Sequence, residues 1–253
     1  MRRLALQLAV VGLLLPWQAG AECKAVSGPA TTALVELYTS EGCNSCPPAD
    51  KWLSALKGDQ VVPLSLHVDY WNHLGWQDRF SSPQFSQRQA QLVQRGNGRV
   101  VYTPQVVLDG RDFRPWRNTD AYDRAVRAIH SRPAQARIEL AARQVRPGDW
   151  AVSFGAQVIR KHGRAIAYLA LYENGLQTRV SGGENKGAVL HHDRVVRAWL
   201  GPTPVDETGQ IRMQLNLKPS EAVDYTRSGV AAIIEDRDNG EVLQALAMPL
   251  CAD

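Results

Sequence analysis

Residues 35–50 read Val35-Glu36-Leu37-Tyr38-Thr39-Ser40-Glu41-Gly42-Cys43-Asn44-Ser45-Cys46-Pro47-Pro48-Ala49-Asp50. The stretch opens apolar, is broken by Ser40-Glu41-Gly42, and passes through two cysteines into a segment of helical spacing. Thr31 to Thr39 reads as a strand, rich in β-branched and apolar residues. Ala49 to Lys57 reads as a helix, with Trp52, Leu53 and Leu56 on one face and Gly58-Asp59 as its stop. Val61 to Val68 is a second strand, apolar almost throughout, as a strand covered on both faces should be. The window therefore predicts strand, helix, strand, with the cysteine pair at the first junction.

Further along, an irregular aromatic stretch runs from Asp69 to Phe80. Ser82-Pro83 then reads as a helix cap followed by proline at the first helical position, opening a helix to about Arg95. Gly96-Asn97-Gly98 closes it. Gln105 to Asp109 is a third strand, Asp109-Gly110 a hairpin turn, and a short fourth strand falls near Phe113. Asp120 to His130 is helical, with Tyr122, Ala125, Val126 and Ile129 inward. After Arg132-Pro133 the pattern changes to short alternating runs near 137–142, 150–158, 165–172, 189–199, 211–217, 230–235 and 242–248. Turn signals separate them, among them Pro147-Gly148-Asp149 and Asn239-Gly240, and a short helix is expected from Pro219-Ser220. This is the signature of a β-rich, sandwich-like unit. The expected organisation is an α/β domain over 22–133 followed by a β-rich region over 134–253.

The first 21 residues read as a signal peptide. Arg2 and Arg3 precede an apolar core from Leu4 to Leu15, and Ala19-Gly20-Ala21 supplies small residues for cleavage. The core is short for a bilayer span, and no later stretch reaches that length, so no membrane span is expected. Loss of the leader takes the basic residues from 29 to 27 against 25 acidic ones. A balance that even, with no basic block, argues against a nucleic-acid partner.

Four cysteines remain, at 23, 43, 46 and 251. Four cysteines allow three pairings, and an exported chain meets an oxidising compartment where disulfides persist. Cys43 and Cys46 are near enough to bridge one another. That leaves Cys23 and Cys251 at the two ends of the mature chain, and domain termini often lie close. A bond there would close nearly the whole chain into one loop, a stabilisation of about 4–5 kcal/mol in the chain-entropy account.

A Cys-x-x-Cys pair entering a helix in an exported chain reads as redox rather than zinc. The helix N-terminus favours thiolate over thiol, and the thiolate is the attacking species in exchange. With Thr103-Pro104 just ahead of the third strand, the order of elements from about residue 31 to 131 resembles the thioredoxin superfamily. The longer run quoted first, together with Gly183-Glu184-Asn185-Lys186-Gly187 and His191-His192-Asp193-Arg194-Val195-Val196-Arg197, resembles an uncharacterised family of exported bacterial proteins. That family is known by a thioredoxin-like fold and a CxxCPPAD motif.

The resemblance implies a thiol–disulfide oxidoreductase, periplasmic or secreted, acting on a protein thiol or disulfide with no organic cofactor. It implies Cys43 as nucleophile, Cys46 as resolving thiol, a cis Pro104 beside them and Glu36 as the buried acid that moves a proton. Glu36 stands seven residues ahead of Cys43 where thioredoxins have six, and strand alternation makes that shift matter. Pro47-Pro48 also departs from the usual pattern: a helix starting at Pro47 would make Cys46 the cap instead. Thr103, Tyr70 and Trp71 are candidates for a substrate groove.

Two other readings of the same cysteines stay open. His67, at the end of the second strand, could join Cys43 and Cys46 as a soft-metal site suited to copper(I). Alternatively, Cys43–Cys46 is a static disulfide on a structural module. Gly182-Gly183-Glu184-Asn185-Lys186-Gly187 lacks phosphate-loop spacing. Adjacent His191 and His192 would point to opposite faces of a strand, so both should not serve one site, and a partly exposed strand start is expected there.

Overall fold

The computed structural model describes residues 22–146, 148–159, 164–217 and 222–251. The leader read at 1–21 and the short helix expected from Pro219-Ser220 lie outside them. The first half follows the predicted order. Strand β1 (Glu22–Val26) precedes β2 (Ala33–Thr39), α1 (Pro47–Ala55), β3 (Val61–His67), α2 (Pro83–Arg95), β4 (Gln105–Leu108), β5 (Arg111–Asp112) and α3 (Thr119–His130). Among its described residues the second half has strands and one short 3-10 turn at Tyr225–Arg227. It comprises β6 (Ala136–Arg146), β7 (Asp149–Val158), β8 (Ala165–Glu173), β9 (Leu176–Arg179), β10 (Val189–His192), β11 (Val195–Pro204), β12 (Gln210–Leu217), β13 (Ser228–Asp236) and β14 (Val242–Pro249).

Local chemistry sets several boundaries. The Ser82 hydroxyl accepts from the Gln84 amide and Pro83 opens α2, a position where the missing N–H costs nothing. Asp109 and Gly110 both take positive φ in the β4–β5 turn, the two-residue geometry whose twist suits a hairpin. A Cβ on Gly110 would lie 2.1 Å from the Gly240 carbonyl oxygen, so only glycine fits. The run expected from 189 to 199 is two strands, because Arg194 takes φ 59° and turns the chain between β10 and β11.

The change of pattern at Pro133 falls just after α3, the last α-helix among the described residues, and does not mark the end of the sheet. One mixed sheet runs β14-β13-β8-β11-β3-β2-β4-β5, while β1-β6-β7-β12 form a second sheet and β9-β10 a separate hairpin. Within the large sheet β2 and β3 are parallel, and β4 is antiparallel to β2. The halves join where β11 lies parallel to β3, Val195 beside Ser65. Every residue of β8 and β13 is buried, because this sheet is covered on both faces. Leu169, Leu171, Val230 and Ala232 pack on Ile138, Trp150 and Phe154 of the four-stranded sheet. That packing is the expected sandwich. The alternate residues Tyr168, Ala170, Ala231 and Ile233 share a core with Phe85 and Leu92 of α2, and with Leu34, Tyr38 and Leu64. On the sandwich side, α1 and α3 cover the other end of the sheet through Ala49, Leu53, Tyr122 and Val126.

The Cys23–Cys251 disulfide forms, with its Cα atoms 5.7 Å apart and 228 residues between them. It ties β1, in the four-stranded sheet, to the segment leaving β14, and so clips the two layers of the sandwich together. Among the described residues no helix is long and apolar enough to cross a membrane.

Candidate functional site

Cys43 and Cys46 are joined in a disulfide, Cα atoms 5.5 Å apart, at the passage from β2 to α1. The Cys43 amide donates to the Ser40 carbonyl and the Cys46 amide to the Cys43 carbonyl, a turn that delivers the chain into α1. Cys46 is the helix cap: its carbonyl accepts from the amides of Ala49 (2.8 Å) and Asp50 (3.2 Å). Pro47 and Pro48 occupy the first two helical positions, where no intrahelical N–H bond is lost. The helix dipole therefore acts most directly on Cys46. Cys43 has a different aid, the Ser45 hydroxyl 3.3 Å from its sulfur.

Asn44 and Ser45 are exposed, yet Cys43 and Cys46 are both 0 % exposed. The open, surface thiol pair that the motif suggests is not what this structure holds. The loop between β9 and β10 lies against the turn. The Asn185 side-chain amide donates to the carbonyls of Glu41 (2.8 Å) and Cys43 (2.9 Å), and the Asn44 amide donates to the Glu184 carboxylate (3.1 Å).

The Thr103–Pro104 peptide is cis. Gln105 pairs with Tyr38, so Pro104 follows the ladder toward the end of β2 from which the cysteine turn departs. The Trp71 indole N–H donates to the Thr103 hydroxyl at 2.8 Å, and its Cβ lies 3.2 Å from where a Gly42 Cβ would stand. Trp71 thus spans the turn and the Thr103–Pro104 segment, and Trp71, Thr103 and Pro104 are half-exposed. Tyr70 points to α2 instead, where its hydroxyl donates to Gln89.

Glu36 does not lie under the cysteines. Its neighbours Val35 and Leu37 face α1, whereas Leu34 and Tyr38 face α2, and Glu36 shares their parity. There the Arg88 guanidinium binds both of its oxygens, at 2.6 and 3.2 Å. The one-residue shift from the thioredoxin spacing thus moves this carboxylate to the opposite face of the sheet.

Other carboxylates occupy the α1 face beside the disulfide. Asp50, one turn after Cys46, and Glu41, two residues before Cys43, are buried together with His67, Asp78 and His192. His67 Nδ1 is 2.7 Å from Asp78 Oδ2. His192 Nε2 is 3.4 Å from Glu41 Oε1, and His192 Nδ1 is 3.9 Å from Asp50 Oδ2. The two imidazoles meet edge to face, centroids 4.9 Å apart. Glu41 accepts from the Trp76 indole (2.8 Å). Glu41 Oε1, Asp50 Oδ1, His67 Nε2 and both ring nitrogens of His192 make no hydrogen bond among the described residues. Burial pushes the Asp50 carboxyl up, only partly opposed by His192 and His67. Burial also works against charge at Asp78 and His67, but their mutual attraction and hydrogen bond win. Asp78 is held below, and His67 above, its ordinary range.

His191 is exposed and His192 buried. Their opposite orientation follows strand alternation, but His192 belongs to the site rather than to an exposed strand start. Asp50 closes the CxxCPPAD run, and no spacing in that run marks it as part of the site. Asp78 had no local signal, and Asn185 lay in the Gly183–Gly187 run that carries the family resemblance, with nothing there to place it on the cysteine turn. The ligand set Cys43, Cys46 and His67 is not assembled: the sulfurs are bonded to each other and His67 Nδ1 is committed to Asp78. Among the described residues no group of three or more His, Cys, Asp or Glu is placed to hold a metal ion.

These features define a mixed α/β, largely β protein with a buried disulfide over a cluster of titratable side chains. The chain belongs to the family described as "Protein of unknown function (DUF1223)", whose model matches residues 34–235. Among solved structures it is similar to protein AGR_C_4864 from Agrobacterium tumefaciens, at 25 % identity and TM-score 0.63, over 90 % of this chain and 98 % of that one. It shares its fold with HBP35 of Porphyromonas gingivalis, at 14 % identity and TM-score 0.66, over 88 % of this chain and 76 % of that one. No curated protein matches it.

Proposed function

We propose that the chain is a thioredoxin-like thiol–disulfide exchange protein that works outside the cytoplasm, with Cys43–Cys46 as its redox couple. The observation that carries this reading is the Cys43–Cys46 disulfide at the entry to α1, one helical turn ahead of a buried carboxyl, Asp50, whose affinity for a proton burial raises. The strand order β3-β2-β4-β5, parallel then antiparallel, supports it. Two disulfides in one chain suit an oxidising compartment, and the leader read at 1–21 would deliver the protein there, to be periplasmic or secreted.

In the form described here the chain is the electron acceptor. A partner thiolate attacks one sulfur of Cys43–Cys46; that S–S bond breaks, a mixed disulfide forms, and the other sulfur departs as a thiolate. The partner's second thiol then attacks the mixed disulfide. The partner leaves oxidised, and the chain holds two cysteine thiols, having gained two electrons and two protons. The part that the resemblance implies for Glu36 passes to Asp50, whose raised affinity for a proton suits it to supply the departing sulfur. Cys43, flanked by the Ser45 hydroxyl, is the sulfur we assign to the mixed disulfide.

A static disulfide is the second reading, favoured by the complete burial of both cysteines. A redox titration of the mature chain against dithiothreitol, read by mass-tagging of each cysteine, separates the two. Exchange requires a reversible two-electron Cys43–Cys46 couple above about −300 mV, with Cys23–Cys251 below it. A Cys43–Cys46 couple well under that value overturns the proposal.

A further inference from the structure

The β9–β10 hairpin pairs with neither large sheet, so it can shift without breaking their ladders. Its loop nevertheless sits on the cysteine turn with specific chemistry. Both N–H bonds of one side-chain amide, Asn185, are spent on backbone carbonyls either side of Gly42. The Glu184 carboxylate takes the Asn44 amide. Glycines seat the loop: a Cβ on Gly182 would stand 2.2 Å from the Gly75 carbonyl oxygen, and Gly183, at φ +66°, has Trp76 Cβ 3.1 Å from its own Cβ position. At the hairpin's base Arg79 donates to the Gln177 carbonyl (3.1 Å), and His192 reaches Glu41.

Glu184 and Asn185 together offer what an extended peptide offers, an acceptor for the Asn44 amide and a donor for the Cys43 carbonyl. A peptide segment carrying a reactive sulfur to Cys43 would need those same backbone groups. We infer that the β9–β10 hairpin is an intramolecular cap, latched by Asn185, that occupies the docking position for a peptide substrate and gates attack on the Cys43–Cys46 disulfide. The inference rests on the exchange reading for its purpose, since a static disulfide needs no gate, but its test stands apart.

The test is the rate of reduction of the oxidised, full mature chain by excess dithiothreitol. Samples are quenched in acid, alkylated, and read by peptide mass for thiols at 43 and 46. Reduction opens the protein disulfide to two thiols and closes the reagent to its cyclic disulfide. Asn185→Ala should speed reduction of Cys43–Cys46 about 10-fold, the order expected when two hydrogen bonds of ordinary net strength are lost from the closed state. Cys23–Cys251, remote from the hairpin, is the internal control and should keep its rate. Asn185→Asp, nearly isosteric but without the donor, should act in the same direction and serves if the alanine variant is unstable.

An unchanged Cys43–Cys46 rate in both variants overturns the cap, as does an equal acceleration of both disulfides, which would report general loosening. A faster rate together with a couple too reducing in the equilibrium titration sinks the exchange reading and leaves the cap. An unchanged rate with a labile couple does the reverse.

Discussion

The large sheet carries a buried cluster of charge on each face, and the two are built on opposite terms. On the α2 face, Arg88 lies between Glu36 and Glu235 (3.0 Å), Arg95 holds the other Glu235 oxygen (3.1 Å), and the Tyr38 hydroxyl donates to Glu36. Two cations face two anions, and the Arg88 guanidinium also lies over the rings of Tyr168 and Trp199, 4.5 and 4.9 Å from their centroids. The glutamates hold the Arg88 charge far above its ordinary range, although burial pulls the other way. This cluster joins β2 and α2 of the first half to β8, β11 and β13 of the second, and every group in it has a partner. On the α1 face, three carboxylates and two imidazoles are buried with several of their polar atoms unbonded. A buried polar group left unpaired costs stability, and perturbed, under-satisfied groups collect where chemistry is done. The contrast suits the first cluster to architecture and accords with the chemical role proposed above for the second.

The largest effect should come from breaking the satisfied cluster. Arg88→Met leaves Glu36 buried without its cation and Glu235 with Arg95 alone, and should cost about 3–5 kcal/mol. Urea denaturation at neutral pH measures it, and a loss under about 1 kcal/mol would show that the network does not hold the halves together.

Asp78→Asn should have a smaller, pH-dependent effect. Asp78 accepts from the Glu41 and Phe80 amides and binds His67, so the loss should be about 2–3 kcal/mol, the range for hydrogen bonds to a charged group. The sign follows from the two shifts. The Asp78 value is depressed in the fold, so its contribution is present above about pH 4 and is lost as pH falls through the folded value. The His67 value is raised, so its contribution is full below about pH 6.5 and disappears as pH rises through the folded value. The gap between wild type and variant should be widest between those limits. Urea midpoints at pH 3, 5.5 and 9 test this, and a gap that grows steadily toward pH 9 contradicts it.

Much of the architecture was legible because it is written locally. The Ser82-Pro83 cap, the Asp109-Gly110 turn and the alternation along β6 and β7 each act within a few residues. The fused sheet was not, because β11 meets β3 through pairing of Val195 with Ser65, which no local pattern encodes. β1 and β9 carried too little local pattern, being five and four residues long. The site divides the same way. The cysteine pair and the opposite orientation of His191 and His192 follow from spacing and period, whereas the cis bond at Pro104 follows only from the resemblance. Glu36 was misplaced by one step of the same period. Asn185 reaches the turn across more than 140 residues, a distance over which only the fold decides what meets.

The smallest effect on stability should come from Asp50→Asn, and its sign is what separates the two faces. Burial raises the Asp50 carboxyl, so the folded state binds its proton more tightly than the unfolded chain does. Such a group favours folding most below its unfolded value near pH 4, and its ionised form weighs against folding as pH rises through and above the folded value. Asparagine removes that charge while keeping the shape. The variant should therefore match wild type near pH 3 and equal or exceed it at pH 8, by up to about 1 kcal/mol. Arg88→Met, by contrast, should lose stability at neutral pH. The same Asp50→Asn chain should also reduce more slowly at Cys43–Cys46, with a flatter pH profile, because the departing sulfur loses its buried proton donor. A destabilised variant with an unaltered reduction profile would make Asp50 one more structural charge, and the distinction between the two faces would fall.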